Sequence, residues 1–260
     1  MMAMPADGSS SVSSNAVRVL VGGFSGLAIA WAFFAGPVYW RQSPIENIAR
    51  HIIAEDSFKP ESLISIKSTY PDLESLRGGR ASVLSAVAVI NIRLLELAIA
   101  RSDIKNLDNL MLETDGMIRQ SLANAPADPF LWAVLFWLEN TRSGFNRDRL
   151  DYLKMSYLIG PNEGWIGVKR NRFALAIYPS LTTDLAENAV SEFAHLVESN
   201  YFGATADILE GPGWPIRDVL LSGLKDVDDV SRQTFAKVIY RRGLDLSVPG
   251  VDRPEWRPWH

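Results

Sequence analysis

The side chains best suited to chemistry are few and scattered. Histidine occurs three times, at His51, His195 and His260, with no His-x-x-x-His or Glu-x-x-His spacing to set two ligands on one helical turn, so no metal is expected. The chain has no cysteine, which excludes disulfides, thiolate nucleophiles, iron–sulfur clusters and cysteine-ligated zinc, and leaves the compartment open. Ser25, within Gly23-Phe24-Ser25-Gly26, lacks the Gly-x-Ser-x-Gly spacing of a nucleophile elbow and sits in an apolar run, where helix packing is its expected role. Gly78-Gly79 is followed by Arg80 and Ala81 instead of Gly-Lys-Ser, so it reads as a turn and not as a phosphate cradle. Glu113 and Asp115, two positions apart on a helix, point to different faces. Glycan cleavage needs two carboxylates facing one cleft, an arrangement that sequence alone does not show. A non-catalytic protein with no cofactor is the expectation.

Two polar clusters could bind a partner. The first holds Asn162, Glu163, Trp165, Lys169, Arg170, Asn171 and Arg172, and helical spacing puts residues 165, 169 and 172 on one face. It reads either as a binding face or as a repeat helix with a core tryptophan and a wet flank. The second is Gly211-Pro212-Gly213-Trp214-Pro215 with Arg217 and Asp218. Trp214 could be offered to a glycan or peptide, or it could staple a helix that begins at Pro215. The densest basic patch, Lys169, Arg170 and Arg172, reads as a solvated helix face. With a formal charge of −4, nucleic acid is not an expected partner.

The elements that would carry these residues begin with an anchor. Val19 to Trp40 contains no charge, is just long enough to cross a bilayer, and is bracketed by Arg18 and Arg41. Tyr39 and Trp40 suit the headgroup layer, and Pro37 lies near the end of the run. A cleaved leader is the competing reading, but Phe33-Phe34-Ala35 places a bulky residue where cleavage prefers a small one. Gly22, Gly26 and Ala30 recur every fourth residue, a spacing that lets two helices pack and would support a homo-oligomer, although small residues are common in membrane helices. Arg18 set against Arg41 and Arg50 does not decide orientation. A short tail of Met, Ser and Ala points to export, so the expected location is a bacterial inner membrane, crossed once, with a periplasmic domain.

The expected organisation is a disordered tail over 1–18, a transmembrane helix over 19–40, a helical-repeat domain over 41–243 and an extended tail over 244–260. That last segment holds Pro249, Pro254, Pro258, Trp256 and Trp259. Ser43-Pro44-Ile45-Glu46 carries the start signal of a helix. Apolar residues at helical spacing mark helices over 81–101 and 107–123, and no run alternates like a strand. Further helices are expected over 129–141, 147–158, 183–199 (capped by Thr183 or Asp184), 204–210, 215–225 and 230–242 (capped by Asp228 or Asp229). The fold class is all-α.

The stretches Asn124 to Trp132 and Gly160 to Trp165 each end one helix and open another. Trp132 and Trp165 are 33 residues apart, and Pro126 and Pro161 are 35 apart. These spacings bracket the 34-residue period of a helix-turn-helix repeat, with Gly144 and Asn146 supplying a turn and the next cap. On these residues, and on Ala133 and Ala174 in first helices, the segment from about Ala81 to Asn200 resembles a degenerate tetratricopeptide repeat. Positions 136 and 137 are Phe and Trp where that family has Gly and Tyr. The resemblance implies stacked antiparallel helix pairs forming an α-solenoid that binds protein. The layout is also similar to uncharacterised single-anchor envelope proteins of alphaproteobacteria, some associated with polysaccharide production. The expected function is therefore partner binding in an envelope assembly. The alternatives are an accessory role that binds or processes glycan, prompted by the eight tryptophans, and a purely structural role as an oligomerising anchor.

Overall fold

The computed structural model of the chain describes residues 20–28, 81–101 and 107–252, together with isolated positions from 31 to 65. Among the described residues every regular element is helical. The chain divides into two compact units, residues 1–47 and 48–260.

In the first unit, residues 20–28 and Trp31 are helical and face solvent. Leu20 is 65% exposed and Phe24 77%, and a Cβ added at Gly22 or Gly26 would meet nothing within 4 Å. The remainder of the expected anchor, Ala30 included, and the tail over 1–18 lie outside the described residues.

The continuously described part of the second unit begins with α1 (Ala81–Ala100) and α2 (Leu107–Asn124), which pack on each other. By length and composition α1 could itself cross a membrane, yet most of it is buried in the fold. Its one internal amide, Asn91, is fully buried and donates to the Met117 sulfur at 3.0 Å. Next come α3 (Pro129–Ser143), a 3-10 turn over Arg147–Arg149, and α4 (Leu150–Ile159). Then follow α5 (Gly164–Ala176) and α6 (Thr183–Glu198). Pro129 begins α3 where its missing N–H costs nothing, and Asp128 caps the helix by accepting from Leu131 N. Gly144 takes φ 76°, and Asn146 accepts from Asp148 N, so the expected turn and cap are both in place. α3 packs on α4 and α5 on α6, and α3 also packs on α5.

The chain continues through α7 (Phe202–Glu210), α8 (Arg217–Ser222) and α9 (Asp229–Arg241). The single helix expected over 215–225 is instead a 3-10 turn (Trp214–Ile216), the short α8 and a second 3-10 turn (Gly223–Asp226). Tertiary packing is the reason. Ile216 leaves helical geometry at φ −120°, ψ 21°, and the Gly223 backbone passes so close to α6 that a Cβ there would sit 2.8 Å from Val190. At the start of α6 the cap is Thr182, which makes no side-chain bond, in place of Thr183 or Asp184. Asp228 caps α9 through Ser231 N at 2.9 Å.

One apolar core runs from α3 to the segment after α9, centred on Phe136, Leu153, Phe193, Leu209 and Phe235. Residues 244–252 lie along it. Val248 is buried, Leu244, Leu246 and Val251 pack against the core, and Arg232 Nη1 donates to Pro249 O at 2.7 Å. The last tryptophans, Trp256 and Trp259, fall outside the described residues.

Candidate functional site

α5 carries an unusual buried stripe. Ile166, Gly167, Arg170, Asn171, Ala174 and Leu175 recur at helical spacing and face inward. Arg170 is the largest fully buried side chain among the described residues, at 0% exposure. The small residues one turn to either side, Gly167 and Ala174, leave it room, and a Cβ at Gly167 would lie 3.1 Å from Glu192 Oε1.

The guanidinium of Arg170 bonds three residues at once. Its Nε and Nη2 donate to Glu192 Oε1 of α6, at 2.9 and 2.5 Å. Its Nη1 donates to Ser156 O at 2.7 Å and to Ser156 Oγ at 3.1 Å, and Nη2 donates to Gly160 O at 2.9 Å. Those carbonyls lie at the C-terminal end of α4, where backbone donors run short; Ser156 O also accepts from Gly160 N at 3.1 Å. Ser156 Oγ in turn donates to Pro129 O at 2.7 Å, reaching the first turn of α3. Tyr157 OH donates to Glu192 Oε2 at 3.0 Å, and the guanidinium lies 4.2 Å from the Tyr157 ring centroid. Asn171 Nδ2 donates to Ala189 O at 2.7 Å. Arg170 thus joins α5 to α4 and α6, and Ser156 extends the network to α3.

The electrostatics follow from depth. Burial pushes the Glu192 carboxyl above its ordinary range, and the neighbouring Arg170 charge pulls it back only in part. Burial, then the Glu192 charge, pushes the Tyr157 hydroxyl well above its ordinary value. Such a charge in a dry interior persists only when its hydrogen bonds are complete, as those of Arg170 are.

Above this network an open groove of about 610 Å³ separates α4 from α6. Tyr157 and Glu192 form part of its floor, and Asp151, Lys154, Asn162, Asp184 and Asn188 stand along its sides. A second groove of about 580 Å³ runs along the opposite side of α6, beside α8 and the turn that follows it. The two share Ser191 and His195.

The residues singled out from sequence do not converge. Asn162 is exposed and lines the first groove. Glu163 is exposed and accepts from Trp165 Nε1 at 3.1 Å. Trp165 packs on Phe130 of α3, with ring centroids 5.2 Å apart. Lys169 is tied to Glu96 of α1 at 2.8 Å, while Arg172 is exposed. The face bearing residues 165 and 169 is therefore a seam between helices. Arg170 and Asn171, expected on a wet flank, are buried, because α6 covers that side of α5. Trp214 is 40% exposed, but the Arg217 guanidinium lies 4.8 Å from its ring centroid and bonds its carbonyl at 3.0 Å. These two share a local turn remote in sequence from the first cluster. Sequence reading missed Glu192 and Tyr157. Their only signal was a carboxylate and a phenol on the inward stripes of largely apolar helix faces.

No family model matches the chain, and no curated protein or solved structure shows significant similarity to it.

Proposed function

We propose that this chain is a non-catalytic, membrane-anchored helical-repeat protein that docks another protein of the bacterial cell envelope, with its domain on the periplasmic side. The observation that carries the reading is the relation between two consecutive helix pairs. α3 begins at Pro129 and α5 at Gly164, 35 residues on. These first helices pack together, whereas the second helices, α4 and α6, part to leave the 610 Å³ groove. Repetition of this kind builds extended binding surfaces, because each pair completes its core only against a neighbour. The exposed apolar side chains of residues 20–28 support an anchor, since such a face is stable in lipid and costly in water.

The test is made in cells with the full chain. After an alkaline carbonate wash the chain is expected to remain with the membranes, and removal of residues 1–40 is expected to release it. A photo-crosslinker replacing Leu158, which stands in the groove at 73% exposure, is expected to give a discrete protein adduct. Release of the intact chain by the wash sinks the anchor, and absence of any adduct sinks the docking role.

A further inference from the structure

The outward stripe of α6 is polar from end to end. Asp184, Glu187, Asn188, Ser191, His195 and Glu198 recur at helical spacing, and all are exposed. By itself such a stripe is the solvated face of an amphipathic helix. Its setting is different, because both long sides of the stripe open into grooves, of about 610 and 580 Å³, that meet at Ser191 and His195. Together the grooves carry Asp151, Asp184, Glu187, Glu198 and Asp226, against Lys154 and Lys225. The buried Glu192 beneath is matched by Arg170 and adds nothing to this excess.

Several carboxylates elsewhere in the unit are held by arginine. Glu139 is approached by Arg119, Arg142 and Arg149, and Asp207 by Arg242 at 2.5 Å. The carboxylates of Asp151, Asp184, Glu187 and Glu198 have no hydrogen bond or ion pair among the described residues. The grooves also hold apolar side chains in contact with water, Leu158 at 73% exposure in one and Val219 at 43% in the other. An acidic rail with apolar gutters on both sides complements a segment that carries positive charge and apolar residues together.

We infer that the outer face of α6 docks a basic, apolar-bearing segment of a partner protein, with lysine or arginine against the α6 carboxylates and apolar side chains beside Leu158 and Val219. The inference rests on the docking reading above and adds the chemistry of the partner. Charge of this kind steers association and fixes the orientation of the bound segment more than it adds affinity.

The full chain, held in a neutral detergent, is titrated into a fluorescent amphipathic peptide of lysine and leucine, and separately into its counterpart with glutamate for lysine. The basic peptide is expected to bind and the acidic one not to, and raising the salt is expected to weaken binding. The combined variant Asp184→Asn, Glu187→Gln, Glu198→Gln is expected to lose roughly tenfold in affinity while melting as the wild type does, since none of the three is paired among the described residues. Equal affinity for both peptides, or no change in the variant, overturns the inference. A photo-crosslinker replacing Asn188 then separates the two levels. An adduct mapped to an acidic partner segment overturns the charge assignment and leaves docking standing. No adduct from either Asn188 or Leu158 removes docking as well.

Discussion

Arg170 Nη2 and Glu192 Oε1 meet at 2.5 Å with side chains 0% and 6% exposed, across the interface of α5 and α6. An ion pair this deep is no guarantee of net stability over an apolar replacement of both partners, but removal of one partner is costly. Here the cost is spread further, because the same guanidinium closes the end of α4.

Arg170→Ala is expected to destabilise the domain by about 3–5 kcal/mol, the range for breaking a buried pair. Arg170→Lys should recover little, since an ammonium cannot reproduce the planar fork that serves Glu192, Ser156 and Gly160 together. The neighbouring Lys169→Ala, which loses a half-exposed contact to Glu96, is expected to cost less than about 1 kcal/mol. Denaturant unfolding of the three variants checks the order.

Glu192 also sets a pH dependence. Its folded value is raised above the ordinary 4.5 by burial, so between the two values the folded chain keeps a proton that the unfolded chain has lost. The stability this gives is complete below the unfolded value and is lost as pH rises through the folded one. Glu192→Gln cannot titrate. Its melting temperature relative to wild type is therefore expected to climb between acid and neutral pH, and a flat difference would show that the Arg170 charge cancels burial fully.

Gly160, between α4 and α5, sits against α3. A Cβ there would lie 2.6 Å from Pro129 Cγ and 2.7 Å from Pro129 Cβ, and the proline ring cannot swing aside. Gly160→Ala is expected to cost about 1–3 kcal/mol through forced displacement of the two pairs. Thermal melting measures it, and a neutral result would mean that the loop can move away.

The helix starts should respond unequally. Asp128 accepts from Leu131 N at 3.1 Å and from Ser85 Oγ at 2.9 Å, which links α3 to α1. Asp128→Ala is expected to cost about 1–2 kcal/mol. Thr182 makes no side-chain bond at the start of α6, and Thr182→Ala is expected to change stability by less than about 0.5 kcal/mol. Comparable losses at both positions would contradict the assigned caps.

Most of the helices were legible in the sequence, though not the break within 215–225, because periodic apolar residues, Pro129 at a first turn, Asn146 and Asp228 as caps and Gly144 at positive φ act over a few residues. The offset of 35 between Pro126 and Pro161 equals that between the starts of α3 and α5. Tertiary structure decided which polar residues are inside. Lys169, Arg170 and Arg172 are alike as a string, yet one bridges to α1, one is buried and one meets water. Their fates depend on where α1 and α6 lie around α5, and those contacts join residues 73 and 22 positions apart. The same holds for the site. Tyr157 and Glu192 are ordinary members of their own helices, and the groove between α4 and α6 opens where α3 and α5 pack while α4 and α6 part. Local sequence sets backbone conformation through short-range sterics and hydrogen bonding. The dielectric around a charge, and the room beside it, belong to the assembled helices.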